Sequence, residues 1–132
     1  MKLSLASAMI DAALAEARTL NVTVCVTVVD AAAWPVAFAR MDGAPLGVID
    51  VSSKKAKTAV LFQMDSEAFG KIAHPDGVAY SLENTNGGLT SFGGGVLLKA
   101  LDGSIAGAIG VSGATTEDDI AIARVAARIL ST

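Results

Sequence analysis

The chain has one cysteine, one histidine, one tryptophan and one tyrosine among its 132 residues. A lone cysteine, Cys25, forms no internal disulfide, and its place among β-branched residues makes it a buried thiol. With His74 as the only histidine, a His-rich or Cys-rich metal cage is excluded by count. Serine hydrolysis is left with a single candidate base. Aromatics make up 5% of residues against 52% hydrophobic, so the apolar content rests on Ala, Val, Ile and Leu. No uninterrupted apolar run approaches the roughly 18 to 20 residues of a membrane helix. The longest stretch, "VTVCVTVVDAAAWPVAFA", is broken by Asp30, Pro35 and two threonines. Basic residues do not cluster either: the net charge is −3, and the one dense patch is "KKAK" at Lys54–Lys57. That composition excludes a nucleic-acid groove. The N-terminus lacks the basic start and apolar run of a signal peptide, so a cytoplasmic protein without a membrane partner is expected. Mean hydropathy is +0.54, high for a soluble monomer, and assigns the excess apolar surface to the interfaces of a homo-oligomer.

The periodicities describe one domain over 1–132 with alternating helices and strands. Residues 3–20 form a helix with Leu3, Ala6, Ile10, Leu14 and Ala17 on its apolar stripe, and Asn21 as its stop. "VTVCVTVVD" and "PVAFAR" are strands joined by "DAAAW". Residues 48–64 form a second helix with Val48, Val51, Lys55, Ala59 and Phe62 near one face, and Asp65 caps a short helix over 66–72. The segment from His74 to Phe92 shows no regular pattern, and long irregular segments of this kind are often functional. "GGVLLKAL", Asp102-Gly103 and "SIAGAIGV" spell a β-hairpin with a two-residue type I′ turn. Thr115, with Asp118 three residues on, makes a capping box for a last helix that buries Ile122, Val125, Ala126, Ile129 and Leu130.

"GSIAGAIGVSGATTEDD", residues 103–119, looks at first like a phosphate loop. It lacks the lysine of a Walker A motif, and its glycines sit inside a strand rather than at a first strand-to-helix turn. The acids that follow would repel phosphate while favouring a helix N-terminus. Gly107 and Gly110 are assigned to close packing. Ser112 and Gly113, at the strand-to-helix corner, are placed to offer backbone N–H groups to an anion. Ser112 is not in a G-x-S-x-G nucleophile elbow. Positive charge is the more useful clue. Arg40 ends the second strand, and Lys55 falls on the buried side of its helix, where its charge must meet either an internal Asp or a ligand carboxylate.

"VVDAAAWPVAFARMDGAP", "KKAKTA", the "GG" before the last hairpin and "GSIAGAIGVSGATTEDD" occur in that order. Together they resemble the GlcG/HbpS family, the haem-binding or haem-degrading-like domain also found at the C-terminus of PduO-type cobalamin adenosyltransferases. The resemblance covers nearly the whole chain. It implies an α/β (α+β), profilin-like fold with a central antiparallel sheet flanked by helices, assembled as dimers up to octamers. It carries Arg40, Asp42, Gly43, Lys55, Thr58, Ala59 and Gly110–Gly113 over as family positions. The chain departs from the pattern at Ala33 and Trp34, where the family has Gly and a polar residue. It departs again at Val96, where the family has proline.

The leading reading is therefore a small-molecule-binding homo-oligomer with haem as the ligand implied by the resemblance. Its ligand-binding residues are Arg40, Lys55, Phe92, Gly93, Gly94, Ser112 and Gly113, and axial ligation falls to His74, to a methionine such as Met64 or to a weak oxygen donor. Two other readings stand beside it. One is an isomerase, decarboxylase or hydrolase of a small catabolic organic acid, with Lys55 as anchor and Ser112–Gly113 as oxyanion site. The other is a structural ring without catalysis.

Overall fold

β1 (Cys25–Asp30) runs through the middle of the molecule because it alternates two buried sets, Val26 and Val28 on one side and Thr27 and Val29 on the other. It pairs antiparallel with β2 (Pro35–Arg40) on one flank and with β4 (Ile105–Ser112) on the other. β4 in turn pairs antiparallel with β3 (Gly95–Lys99), so the sheet order is β2-β1-β4-β3. The computed structural model describes residues 1–131. The α+β arrangement matches the expected profilin-like architecture, with an antiparallel sheet between two helical layers.

One sheet face is covered by α1 (Leu3–Thr19) and α4 (Thr116–Ala127). There Val26, Val28, Leu98, Ile109 and Val111 pack with Met9, Ala13, Ile122 and Ala126 in the main core. The other face carries α2 (Gly47–Phe62), which lies over β4, β1 and β3. α3 (Ser66–Ala73) follows and centres a small satellite core of Phe69, Ala73 and Leu89, against which Met64 packs. No helix among the described residues is long and apolar enough to cross a membrane.

Several local expectations hold at the level of single bonds. α1 stops at Asn21, whose φ of 56° is left-handed, and Val22 N donates to Ala17 O while Asn21 N donates to Arg18 O. Thr115 caps α4 by accepting from Asp118 N at 3.1 Å. Gly110 is the packing residue foreseen: a Cβ there would run into the Ser52 carbonyl of α2. Gly107 also has no room, but its obstacle is the Val29 carbonyl of the neighbouring strand rather than a helix.

Other expectations need correction. Leu3 is exposed, and the buried stripe of α1 is instead Ala6, Met9, Ile10, Ala13 and Ala17, one turn inward where the sheet begins. Asp65 occupies the N-cap position of α3 without capping it; its Oδ1 accepts from Leu97 N of β3 at 2.9 Å. The β3–β4 turn is not type I′. Of Asp102 and Gly103 only Gly103 has positive φ, at 86°, Gly103 N donates to Ala100 O, and the register shifts at Leu98/Lys99. Asp102 uses its carboxylate locally, accepting from the Ser104 hydroxyl and N–H, which holds it below the usual carboxylate range.

The β1–β2 turn has the same design with a poorer residue. Asp30 Oδ1 accepts from Ala32 N and Trp34 N, and Ala33 takes a φ of 68° that strains any side chain bearing a Cβ. Ala33→Gly is expected to stabilise the protein by about 0.5 kcal/mol, strain relief exceeding the added chain entropy. Gly110→Ala, by contrast, should cost about 1–3 kcal/mol by pushing α2 off β4. Urea unfolding of both variants beside the parent checks the opposite signs.

Candidate functional site

Lys55 has no exposed surface, an arrangement that requires partners for every proton of its ammonium group. Its Nζ donates to Val111 O at 2.8 Å and to Asp119 Oδ2 at 3.0 Å, and it stands 5.0 Å from the centre of the Phe92 ring. Asp119 is equally engaged, its Oδ1 accepting from Ala114 N at 3.0 Å, with the first turn of α4 around it. Burial pulls Lys55 below the ordinary lysine range and pushes Asp119 above the ordinary carboxylate range, and each partner's charge opposes the other's shift. Of the two partners open to Lys55, the structure supplies the internal one. Asp119 therefore does more than favour the helix start; it joins α2, β4 and α4.

This clamp and the backbone of α2 beside it explain the glycines at the start of β3. Gly94, at φ 125°, has no Cβ because one would sit 2.5 Å from Val111 O and 2.7 Å from Lys55 Nζ. A Cβ at Gly95 would overlap the Lys55 carbonyl. Ser66 locks the same segment by donating to Phe92 O and accepting from Gly95 N, both at 2.8 Å. Phe92 is thus held across Lys55 with half of its surface in solvent.

The outer side of Phe92 faces a cleft of about 500 Å³. α3 contributes Glu67, Gly70 and Lys71; the turn after it contributes His74, Asp76 and Gly77; Ser91, Phe92 and Gly93 close the far wall. Bare backbone shapes these walls: a Cβ at Gly70 would overlap Ser91 O, and one at Gly93 would overlap Ile120. His74-Pro75-Asp76-Gly77 is a tight turn in which Gly77 N donates to His74 O at 2.7 Å. The His74 ring is largely exposed, and its Nδ1 accepts from Asp76 N at 3.1 Å. A neutral ring in that arrangement carries its proton on Nε2. The Asp76 carboxylate lies 3.9 Å from Nδ1, beyond hydrogen-bond distance, and its residue contacts the ring through the backbone N–H instead.

Of the residues singled out in the sequence, His74, Phe92 and Gly93 come together in this cleft. Lys55 and Gly94 lie behind it in the clamp. Ser112 is buried at the end of β4, and Gly113, at φ 137°, rests against Thr23 and Val24, so neither lines the cleft. Arg40 is elsewhere, in a second cleft of about 340 Å³ with Arg18 and Asp42. Met64 faces the satellite core. Gly70, Lys71 and Asp76 were not foreseen; the "HPDG" turn signal was the one local hint. Among the described residues no group of three or more His, Cys, Asp or Glu is placed to hold a bare metal ion.

The arrangement defines an α+β domain with a mostly apolar surface cleft walled by an aromatic ring and glycine backbone, with a buried ion pair behind the ring. The chain belongs to the HbpS-like family, described as haem-degrading protein HbpS-like, whose model matches residues 1–128. It is 36% identical over 109 residues to Protein GlcG of Escherichia coli K12, covering 82% of this chain and 78% of that protein. It is 35% identical over 116 residues to the corrinoid adenosyltransferase PduO of Salmonella typhimurium, covering 87% of this chain but 34% of the transferase. The chain thus spans about a third of that enzyme's length. Among solved structures, the PduOC–haem complex superposes with a TM-score of 0.91 at 31% identity, covering 98% of this chain and 94% of that one.

Removing either half of the clamp strands a buried charge, so Lys55→Met and Asp119→Leu are each expected to cost about 3–5 kcal/mol. The double variant should cost well under their sum, which denaturant unfolding of the three proteins reads directly. Cys25 is fully buried beside β2 and β4, and burial raises its thiol pKa. It is expected to resist a thiol reagent in native buffer and to react stoichiometrically in urea.

Proposed function

We propose that this protein is a small-molecule-binding homo-oligomer whose ligand is a flat, haem-class macrocycle held in the Phe92–His74 cleft. The observation that carries the reading is the position of the chain's single imidazole. It stands exposed at a cleft whose far wall is the Phe92 ring and the backbone of Gly93, with bare Gly70 of α3 on its own side. The donor set suits such a group: Nε2 of His74 would hold its iron once the ring proton moves to Nδ1, giving up the Asp76 N–H contact and drawing in the Asp76 carboxylate as acceptor, and Lys71 would offer a cation to a peripheral carboxylate. When bound, haem would supply redox-active iron. The protein's own part is to orient the imidazole, to stack Phe92 on the ring plane and to limit water on that face.

The PduOC–haem relative and the family description support the ligand class. Association of copies is supported by the exposed apolar side chains of Trp34, Leu46, Val78 and Leu101. An organic-acid enzyme anchored on Lys55 draws less support, because that ammonium already has Asp119, Val111 O and the Phe92 ring.

Haem titration should give a saturable Soret change. His74→Ala should abolish the saturable Soret shift, and Asp76→Asn should weaken binding about 10- to 100-fold. A spectrum unaltered by protein, or altered equally with His74→Ala, contradicts the reading. Native mass spectrometry of the same samples reports the number of copies.

A further inference from the structure

α2 covers β4, β1 and β3 but leaves the β2 side of its sheet face open, and a separate groove of about 230 Å³ lies there. One wall is apolar, made by Val29 of β1, Ala33 of the turn and Pro35 of β2. The other wall is one face of α2, bearing Ser53, Lys54 and Lys57.

The floor is polar where helix-on-sheet packing would favour a hydrocarbon. Thr27, in the centre of β1 and 1% exposed, has its Oγ1 2.9 Å from Ser52 Oγ and 3.3 Å from Ser53 Oγ. Ser52 donates its own proton to Ile49 O at 2.9 Å. It therefore accepts from Thr27, and the lone pairs of Thr27 turn toward Ser53 and the groove. The hydroxyl chain thus runs with one polarity, Ser53 to Thr27 to Ser52 to Ile49 O.

Two ammonium groups stand over this floor. Lys57 donates to Asn86 O, and Lys54 forms an ion pair with Asp50 at 3.0 Å. Each bond occupies one of three protons, and the groove keeps a net charge of plus one from two lysines and one aspartate. The Asn86-Gly87-Gly88 bend, with φ of 55°, 74° and 103°, brings backbone close to both lysines. A Cβ on Gly88 would lie 3.3 Å from Lys54 Nζ, and one on Gly87 would lie 3.6 Å from Lys57 Nζ. The loop therefore limits where the two ammonium groups can go.

We propose that this groove is a second ligand site, distinct from the Phe92–His74 cleft, and that it takes a short aliphatic carboxylate. The carboxylate meets Lys54 and Lys57, one of its oxygens takes over the Ser53 hydroxyl proton from the long 3.3 Å contact with Thr27, and the alkyl part lies on Val29, Ala33 and Pro35. The volume admits a chain of a few carbons, and the apolar wall discriminates against a bare inorganic anion.

The test is an amide NMR titration of the full chain with butyrate, with inorganic phosphate and n-butanol as parallel arms. Butyrate should give saturable shifts at Val29, Ala33, Ser53, Lys54 and Lys57, with weaker effects from the other two probes. Lys54→Gln/Lys57→Gln should raise the butyrate Kd about tenfold or more, and Ser53→Ala by a few-fold. Lys54→Arg/Lys57→Arg, which keeps both charges, should recover most of the affinity and so separates lost charge from a loosened loop. Shifts that never saturate, that n-butanol reproduces, or that survive the double glutamine variant overturn the proposal. The haem titration reads a different cleft, so either result can fail alone.

Discussion

The ion pair between Lys55 and Asp119 is the constraint on which the rest of the molecule depends. It crosses from α2 to α4 through the end of β4 and joins the three elements in one place. Burying both charges is costly, and the structure offsets that cost by completing the partner set: a carbonyl and an aromatic face for the ammonium, and a backbone N–H for the far carboxylate oxygen. Gly94 before β3 follows from it, because a side chain there would occupy the space the Lys55 ammonium needs, while Gly95 is set by the Lys55 backbone carbonyl of α2. An arginine would not serve, since its broader guanidinium has no room where Gly94 and Val111 already touch the lysine.

The clamp also decides where ligand chemistry can occur. It fixes the segment from Phe92 to Gly95 and consumes Lys55 internally, so the polar side chains left to the cleft are Ser91 and those of α3 and the turn after it. Phe92 belongs to both sides, with one face against the ammonium and the other toward the cleft. The wall of the cleft is thereby stiffened by a group that does not line it. Glu67, at the cleft's edge, is also 3.4 Å from Arg124 of α4, so the rim is tied to the opposite helical layer by an exposed pair.

Local patterns in the sequence reached the fold because the fold is built from local rules. Alternating β-branched residues specified β1, the Thr115 cap specified the start of α4, and Asn21 ended α1. Gly110 was legible as a packing residue because a strand glycine under a helix has few other uses. The site was harder to read. Lys55 was recognisable as a buried cation, but its partner lies 64 residues away, and nothing local distinguishes Asp119 from Asp118 beside it. Asp65 resembled an N-cap by position, yet tertiary packing gave its carboxylate to Leu97 N instead. Ser112 and Gly113 carried the residue types of an anion corner; the chain entering β1 fills the space where an anion would sit. Gly70 and Asp76 entered the site only through the way α3 folds back on residues 91–93.

The central claim is that the Phe92–His74 cleft is the place where a flat macrocyclic ligand sits, with Lys55 behind it as structure rather than as a contact. A crystal structure of the protein grown with haem tests this most directly. The claim predicts the macrocycle against Phe92 and Gly93 with its iron bound by Nε2 of His74, the Lys55–Asp119 pair unbroken. Haem seated elsewhere on the chain, or an ammonium of Lys55 released from Asp119 to meet the ligand, would contradict it.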